Sequence, residues 1–135
     1  MYSLKKLPMP NKVTYEYAII RVVPRVEREE FLNVGVIVFS KRKKYLDMKF
    51  HLDKDRLLSF SPSLDVDLVA DYLQAWEWVC QGHPAGGTIG EAEMPYRFRW
   101  LTAARSTILQ SSRPHAGLCE EPAEVLEDLL GRYVR

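Results

Sequence analysis

The sequence predicts an α+β fold, a mostly antiparallel sheet of about four strands packed by two amphipathic helices. Three short segments rich in β-branched and aromatic residues come first, and only short turns separate them. Two segments in which apolar residues recur at three- and four-residue spacing lie further along the chain. Short connections favour antiparallel pairing, because parallel strands need long crossovers.

The composition is that of one globular domain. The chain has 135 residues, of which 47% are hydrophobic and 27% are charged. Such a chain can bury one core and is not disordered throughout. Residues 1–12 contain two prolines and predict a flexible lead-in, so we expect the single α+β domain to span residues 13–135.

The first three predicted elements are strands. Val13 to Val23 is rich in Tyr and Ile and ends at Pro24, which cannot donate to a ladder. Asn33 to Phe39 is almost continuously apolar, and Gly35 within it predicts a bulge or a close backbone approach. Tyr45 to Phe50 alternates apolar and polar residues, as a strand with one buried face does.

Helical periodicity follows the third strand. Asp53 is predicted to cap a short helix, and Ser61 before a proline marks the start of an amphipathic helix from about Pro62 to Cys80. The segment from Gln81 to Pro95 is rich in Gly and Pro and predicts a long loop.

The last part of the chain completes the predicted sheet and its cover. Ser106 to Gln110 is β-prone and predicts a fourth strand, and Pro122 opens a last amphipathic helix. We expect this helix and the one ending near Cys80 to pack on one face of the sheet.

Charge and cysteine content narrow the class of protein. The formal net charge of +1 provides no overall electrostatic attraction to nucleic acid or to a membrane. The longest apolar stretch is too short to cross a bilayer, and the N-terminus lacks the apolar core of a signal peptide. We therefore expect a cytoplasmic protein without a membrane partner. Cys80 and Cys119 lack metal-ligand or redox spacing and predict reduced, structural thiols.

A polar segment from Tyr96 to Gly117 is the strongest functional signal. It holds four arginines and several hydroxyl groups, and no acidic residue lies between Glu93 and Glu120. Such a segment suits an anionic group, and the candidate ligand-binding or anion-binding residues are Arg105, Gln110, Arg113 and His115. The competing interpretation pairs these arginines with carboxylates such as Glu27, Glu29, Glu30, Asp65 and Asp67, or leaves them in solvent.

No pattern identifies a cofactor or a metal. The three histidines are scattered without ligand spacing, and no phosphate-binding loop or nucleophile motif occurs. One weak pattern remains: Glu30, Asp47 and Lys49 match the skeleton of a metal-dependent restriction-type nuclease. In that chemistry the acids hold the metal and the lysine positions the attacking water.

Three blocks of the sequence resemble a known bacterial family. They are residues 15–24 (YEYAIIRVVP), residues 30–38 (EFLNVGVIV), and residues 105–110 (RSTILQ) with 115–117 (HAG). These blocks resemble the family catalogued as domain of unknown function 3037, from about Tyr15 to Tyr133. The resemblance implies small cytosolic domains without an established activity, whose genes often neighbour those of toxin-type serine/threonine kinases. It supplies no catalytic residue but adds the secondary site candidates Arg21, Glu30 and Asn33.

These observations favour a non-catalytic protein-binding or accessory module, with Trp78 as a candidate partner surface because it lies off the apolar stripe of its helix. The alternatives are a phosphate-binding or nucleic-acid-binding protein and the nuclease. A protein-binding module predicts an exposed apolar patch near Trp78. An anion site predicts that the arginines converge in a concavity without carboxylate partners.

Overall fold

The first three strands form an antiparallel meander, as predicted, in the computed structural model, which describes residues 11–135. β1 (Val13–Val22) pairs with β2 (Leu32–Ser40), and β2 pairs with β3 (Tyr45–Phe50). All of the predicted lead-in except its last two residues lies outside the described residues. A 3-10 turn at Val26–Arg28 joins β1 to β2.

Two short strands share the other side of β1. β4 (Leu109–Ser111) pairs with Ile20–Val22, and β5 (His115–Cys119) pairs with Val13–Tyr17. The described sheet thus has five antiparallel strands in the order β3-β2-β1-β4, with β5 also beside β1. The sequence predicts about four strands, which is close to the five observed. β5 lacks a sequence signal because Ala and Gly at its centre are poor strand formers.

Five helices complete the described part of the chain. Their bounds are α1 (Lys54–Phe60), α2 (Val66–Gln81), α3 (Gly87–Gly90), α4 (Met94–Thr102) and α5 (Pro122–Tyr133). Not one of them combines the length and hydropathy that a bilayer span requires.

The helix ends follow local side-chain chemistry. Asp53 accepts a hydrogen bond from the Arg56 amide, as predicted, and caps α1. Asp65 accepts a hydrogen bond from the Leu68 amide, so α2 begins at Val66 rather than at the predicted Pro62. The predicted loop after α2 contains a 3-10 turn at Pro84–Gly86 and α3.

The two amphipathic helices lie on opposite faces of the sheet, contrary to the expectation of one shared face. On the first face α2 and α4 pack against Ile20 and neighbouring buried residues. On the second face α5 packs against Ile19, Val36 and Val38. Adjacent strand residues point to opposite faces, so the continuous apolar run of β2 reflects burial on both sides.

A bulge in β2 changes which residues face each other, as Gly35 predicts. The register shifts between Ile20 and Arg21, so Ile20 lies opposite Gly35 and Arg21 lies opposite Asn33. A Cβ atom at position 35 would lie 2.8 Å from the Lys49 carbonyl oxygen, and only glycine fits there. The bulge places Arg21 and Asn33 side by side on the second face.

Candidate functional site

The second face of the sheet is only partly covered. α5 packs on β2 and β3, and the part of this face built by β1, β4 and β5 near Arg21 stays open. Strand pairing places Gln110 beside Arg21 and His115 beside Tyr17 on this open part. Three of the predicted site residues are therefore neighbours on one surface.

Two adjoining concavities form on this open surface, and together we call them the Arg21 groove. The first has a volume of about 230 Å³, and its lining includes Arg21, Glu29, Phe31, Arg105, Ser106 and Gln110. The second has a volume of about 330 Å³, and its lining includes Tyr17, Arg21, Phe31, Asn33, His115 and Tyr133. Arg21 and Phe31 line both concavities and so lie where they meet.

Arg21 has no charged partner within the described chain. Its guanidinium carbon lies 4.0 Å from the centroid of the Phe31 ring, which holds the cation by a cation–π contact. Its Nε is buried and has no hydrogen-bond partner among residues 11–135. The ion pairs formed among residues 11–135 do not include Arg21. The positive charge is thus oriented by an aromatic ring but not neutralised.

Asn33 provides a second unusual polar group beside Arg21. Its Nδ2 donates a hydrogen bond of 3.2 Å to the Tyr133 carbonyl oxygen, which determines the orientation of the amide. Its Oδ1 then lies buried without a partner in the described residues. Unpaired buried polar atoms cost free energy, so a ligand that forms hydrogen bonds with these two atoms would remove that cost.

Arg105 lines the groove but is also a structural residue. Its guanidinium donates hydrogen bonds to the carbonyl oxygens of Trp100 (2.6 Å) and Leu101 (3.3 Å), in the last turn of α4. It lies 4.9 Å from the Trp76 ring centroid and 4.7 Å from that of Trp100. Burial lowers the pKa of Arg105 below its usual value. Arg105 therefore caps α4. Within the described residues it is neither paired with a carboxylate nor left in solvent, which were the two possibilities of the competing interpretation.

The other predicted residues separate into two groups. Gln110 and His115 lie in the groove: Gln110 Nε2 donates to the Thr107 carbonyl oxygen at 2.8 Å, and the exposed His115 ring lies 5.3 Å from Tyr17. Arg113 is exposed between β4 and β5 and lies outside the groove lining. Glu30 is also outside it and bonds to Arg28 at 2.7 Å, which holds the pKa of this carboxyl below its usual value.

Exposed apolar side chains also line the groove. Trp78 is half-buried, and its ring stacks with that of His83 at a centroid distance of 6.1 Å. By contrast, Phe31 is 43% exposed and Tyr133 is 39% exposed. Sequence reasoning missed both residues. One signal could have identified Phe31 from the sequence: it is a large aromatic residue that directly follows charged residues and precedes a strand.

The residues of the nuclease hypothesis are not brought together. Glu30 precedes β2, whereas Asp47 and Lys49 lie on β3 opposite Val38 and Val36. Lys49 pairs with Glu127 on α5, and Asp47 Oδ1 accepts a hydrogen bond from the Met48 amide at 2.9 Å. Residues 11–135 contain no group of three or more His, Cys, Asp or Glu side chains arranged to hold a metal ion.

The two cysteines do not supply a nucleophile to the groove. Both thiols are unpaired and buried, as predicted. Burial raises the pKa of Cys80 and of Cys119 above their usual values, so both remain protonated at neutral pH. A protonated thiol is a poor nucleophile.

Comparison with known proteins confirms the family resemblance that the three sequence blocks indicate. A family model described as Protein of unknown function (DUF3037) matches residues 17–134. Comparison with curated proteins and with solved structures gives no match. The matched range runs from within β1 to beyond the end of α5 and contains all groove residues named above. The chain therefore belongs to the DUF3037 family.

Proposed function

We propose that this domain is a non-catalytic binding module that holds an acidic segment of a protein partner in the Arg21 groove. One observation carries the proposal: a guanidinium in a concavity, oriented by Phe31, lacks a carboxylate partner within residues 11–135. Arginine binds carboxylates through two parallel hydrogen bonds, and this contact is strongest where solvent is excluded.

The apolar part of the groove favours a protein over a small anion. Phe31 and Tyr133 expose large areas on its rim, and Val26 is 39% exposed beside Phe31. Protein interfaces combine aromatic residues and arginine at their centres, where these residues contribute most of the binding energy. An acidic side chain on Arg21, with apolar neighbours on Phe31 and Tyr133, matches this composition.

The polar residues of the groove support binding rather than catalysis. His115 is the one imidazole that lines the groove among residues 11–135, and it contacts the Tyr17 ring without a carboxylate from these residues to orient it. A histidine that acts as a general base is normally held by such a partner. The resemblance to a family encoded near toxin-type serine/threonine kinases makes such a kinase the first partner to test, in the bacterial cytoplasm.

A phosphate group, free or in a nucleic acid, is the second candidate ligand. It is favoured by one observation, that Arg21 and Arg105 line the same concavity. One feature weighs against it: the Arg105 guanidinium already donates to two carbonyl oxygens.

A titration with matched probes tests the proposal. Fluorescein-labelled peptides of alternating Glu and Leu, and their Gln–Leu analogues, are titrated with wild-type protein, with inorganic phosphate and short single-stranded DNA as competitors. We expect only the acidic peptide to bind, and Arg21→Gln to weaken it about tenfold, which corresponds to ~1.4 kcal/mol.

The control is Arg25→Gln, which removes an exposed arginine outside the groove. It should leave peptide binding unchanged. The proposal would be contradicted if wild type and Arg21→Gln bound the acidic peptide equally. It would also be contradicted if DNA displaced the labelled peptide at a lower concentration than the unlabelled peptide does.

A further inference from the structure

The two concavities of the Arg21 groove differ in their charges. The lining of the first includes Arg105 and Glu29 in addition to Arg21. Among residues 11–135, the lining of the second contains no carboxylate, and Arg21 is its one Lys or Arg side chain. A carboxylate that approaches Arg21 from the second concavity therefore meets a positive charge without meeting a like charge.

Arg21 and Asn33 present a free donor and a free acceptor side by side. The two residues lie opposite each other across β1 and β2, where Cβ atoms are about 4.5–5.5 Å apart. Arg21 Nε and Asn33 Oδ1 have no hydrogen-bond partner among residues 11–135, so they do not bond to each other. Both residues are half-buried, and the last torsion of an asparagine side chain is broad, so its amide can turn slightly toward a ligand. A ligand that matches this pair carries an acceptor and, next to it, an N–H donor.

The end of a polypeptide chain carries these two groups in the most compact form. An ionised side-chain carboxylate has no donor of its own, and in glutamate several rotatable bonds separate it from the nearest main-chain N–H. In the last residue of a chain, the carboxylate and the amide N–H are attached to the same Cα atom, and a single torsion determines their relative position. A chain end therefore loses less conformational entropy when both groups bind.

We propose that the Arg21 groove recognises the C-terminus of its partner chain, an inference that rests on the proposed function. The terminal carboxylate accepts hydrogen bonds from Nε and one terminal nitrogen of Arg21, and the last amide N–H donates to Asn33 Oδ1. The last side chain is apolar and packs between Phe31 and Tyr133, which line the same concavity and are 43% and 39% exposed.

A free amino acid fits the second concavity less well than a chain end does. It also carries a carboxylate beside a nitrogen donor, but its nitrogen is an ammonium group. That second cation would lie beside Arg21 in a concavity whose described lining has no carboxylate to neutralise it. The two concavities, of about 230 Å³ and 330 Å³, together also exceed the volume of a free amino acid. They leave room for the residues that precede the last one.

Three peptides that differ by single groups test the inference. They are a fluorescein-labelled Gln–Leu peptide that ends in leucine with a free carboxylate, the same peptide with a C-terminal amide, and the same peptide with an ester in place of its last amide bond. The second lacks the terminal charge, and the third lacks only the last N–H donor. Fluorescence anisotropy should show that the free acid binds most tightly, and that each change raises the dissociation constant about tenfold.

Protein variants assign each contact to its residue. Asn33→Leu removes the acceptor with little change in side-chain size, so it should bind the ester and the free acid equally, about tenfold more weakly than wild type binds the free acid. Arg21→Gln should bind the free acid and the amide-capped peptide alike. Gln74→Leu, which removes an exposed amide of α2 outside the groove, is the control and should keep the wild-type preference. Circular dichroism checks that Asn33→Leu folds, and the ester decides on wild type without this variant.

An amide-capped Glu–Leu peptide separates this inference from the proposed function, because all of its carboxylates are on side chains. Both peptides of the titration described above carry this C-terminal amide. Suppose that the Glu–Leu peptide binds through Arg21, while the free-acid Gln–Leu peptide binds no more tightly than its amide-capped form. Recognition of the C-terminus is then overturned, and the proposed function stands. Equal binding of the free acid and the ester by wild type would also overturn the inference. If none of the peptides binds, both proposals fail.

Discussion

The covered and open halves of the second sheet face share β1 and β2 but differ in their other strands and in what lies over them. Under α5, β2 presents Val36 and Val38, which are fully buried. Toward the other end of the same face, β1 and β2 present Arg21 and Asn33, and Phe31 is the nearest cover. The helix ends at Tyr133, so the sheet extends beyond it. A binding surface arises where the sheet is longer than the helix that covers it.

The covered half is expected to be the most sensitive to truncation. Leu126→Ala removes a side chain that is 0% exposed between α5 and β2. The lost burial and the resulting cavity should lower the free energy of unfolding by about 3 kcal/mol. Urea denaturation followed by circular dichroism measures this loss. Gln110→Ala, on the open half, should cost less, and a larger loss there would reverse the comparison.

The junction of β4 and β5 should be the next most sensitive position. Ser112 is 4% exposed, and its Oγ accepts the hydrogen bond from the Ile19 amide. Ser112→Ala leaves that buried amide unpaired, which should cost about 2 kcal/mol. Hydrogen exchange of the Ile19 amide should accelerate in parallel. Ser111→Ala, which leaves this bond intact, is the control, and equal losses in both variants would argue against the assigned role.

The two arginines of the first concavity should respond differently. Arg105→Ala removes both bonds to the α4 carbonyl oxygens and two contacts with tryptophan rings, and it should cost about 1.5 kcal/mol. Arg21→Ala removes one contact with an aromatic ring and a guanidinium without an ion-pair partner in residues 11–135, and it should change stability by less than about 0.5 kcal/mol. Thermal denaturation of both variants checks this difference. Equal destabilisation would identify Arg21 as structural and would remove the basis of the binding proposal.

A smaller effect is expected at high pH on the covered half. Burial, and secondarily the negative charge of Asp47, raises the pKa of Tyr45 to about 12 from a usual value near 10. The folded state holds this proton more tightly than the unfolded state does. The contribution of the phenol to stability is therefore complete below pH 10 and is lost between about pH 10 and 12.

Tyr45→Phe isolates that contribution. Stability measured by denaturant from pH 8 to 12 should decline less steeply in the variant than in wild type. The same decline in both proteins would show that other groups, such as the buried thiols, determine the alkaline limit.

Most of the fold could be predicted from local patterns. The three long strands and the last helix have strong periodicity, and Asp53 and Pro122 mark helix starts through interactions within one turn. β5 has no comparable signal because it is stabilised by pairing with β1 at the other end of the chain, and the helical turns after α2 are too short for a periodic pattern and pack on the neighbouring α2 and α4. The same limit applies to the groove. Gln110 and His115 could be selected as polar residues in one segment, but Arg21 and Asn33, which complete the groove, lie on strands that are distant from that segment in the sequence.

The sequence by itself determined the fold class, the strand and helix types, and the family to which the chain belongs, since these depend on residue periodicity and short blocks of residues. Only the tertiary structure decided that α2 and α5 lie on opposite faces, that Arg21 and Asn33 meet across a bulge, and that Arg113 lies outside the groove. Each of these depends on strand register and on where a helix ends relative to the sheet. Register and coverage are properties of residues far apart in the chain: Gly35 indicated a bulge, but not which residues that bulge would bring together.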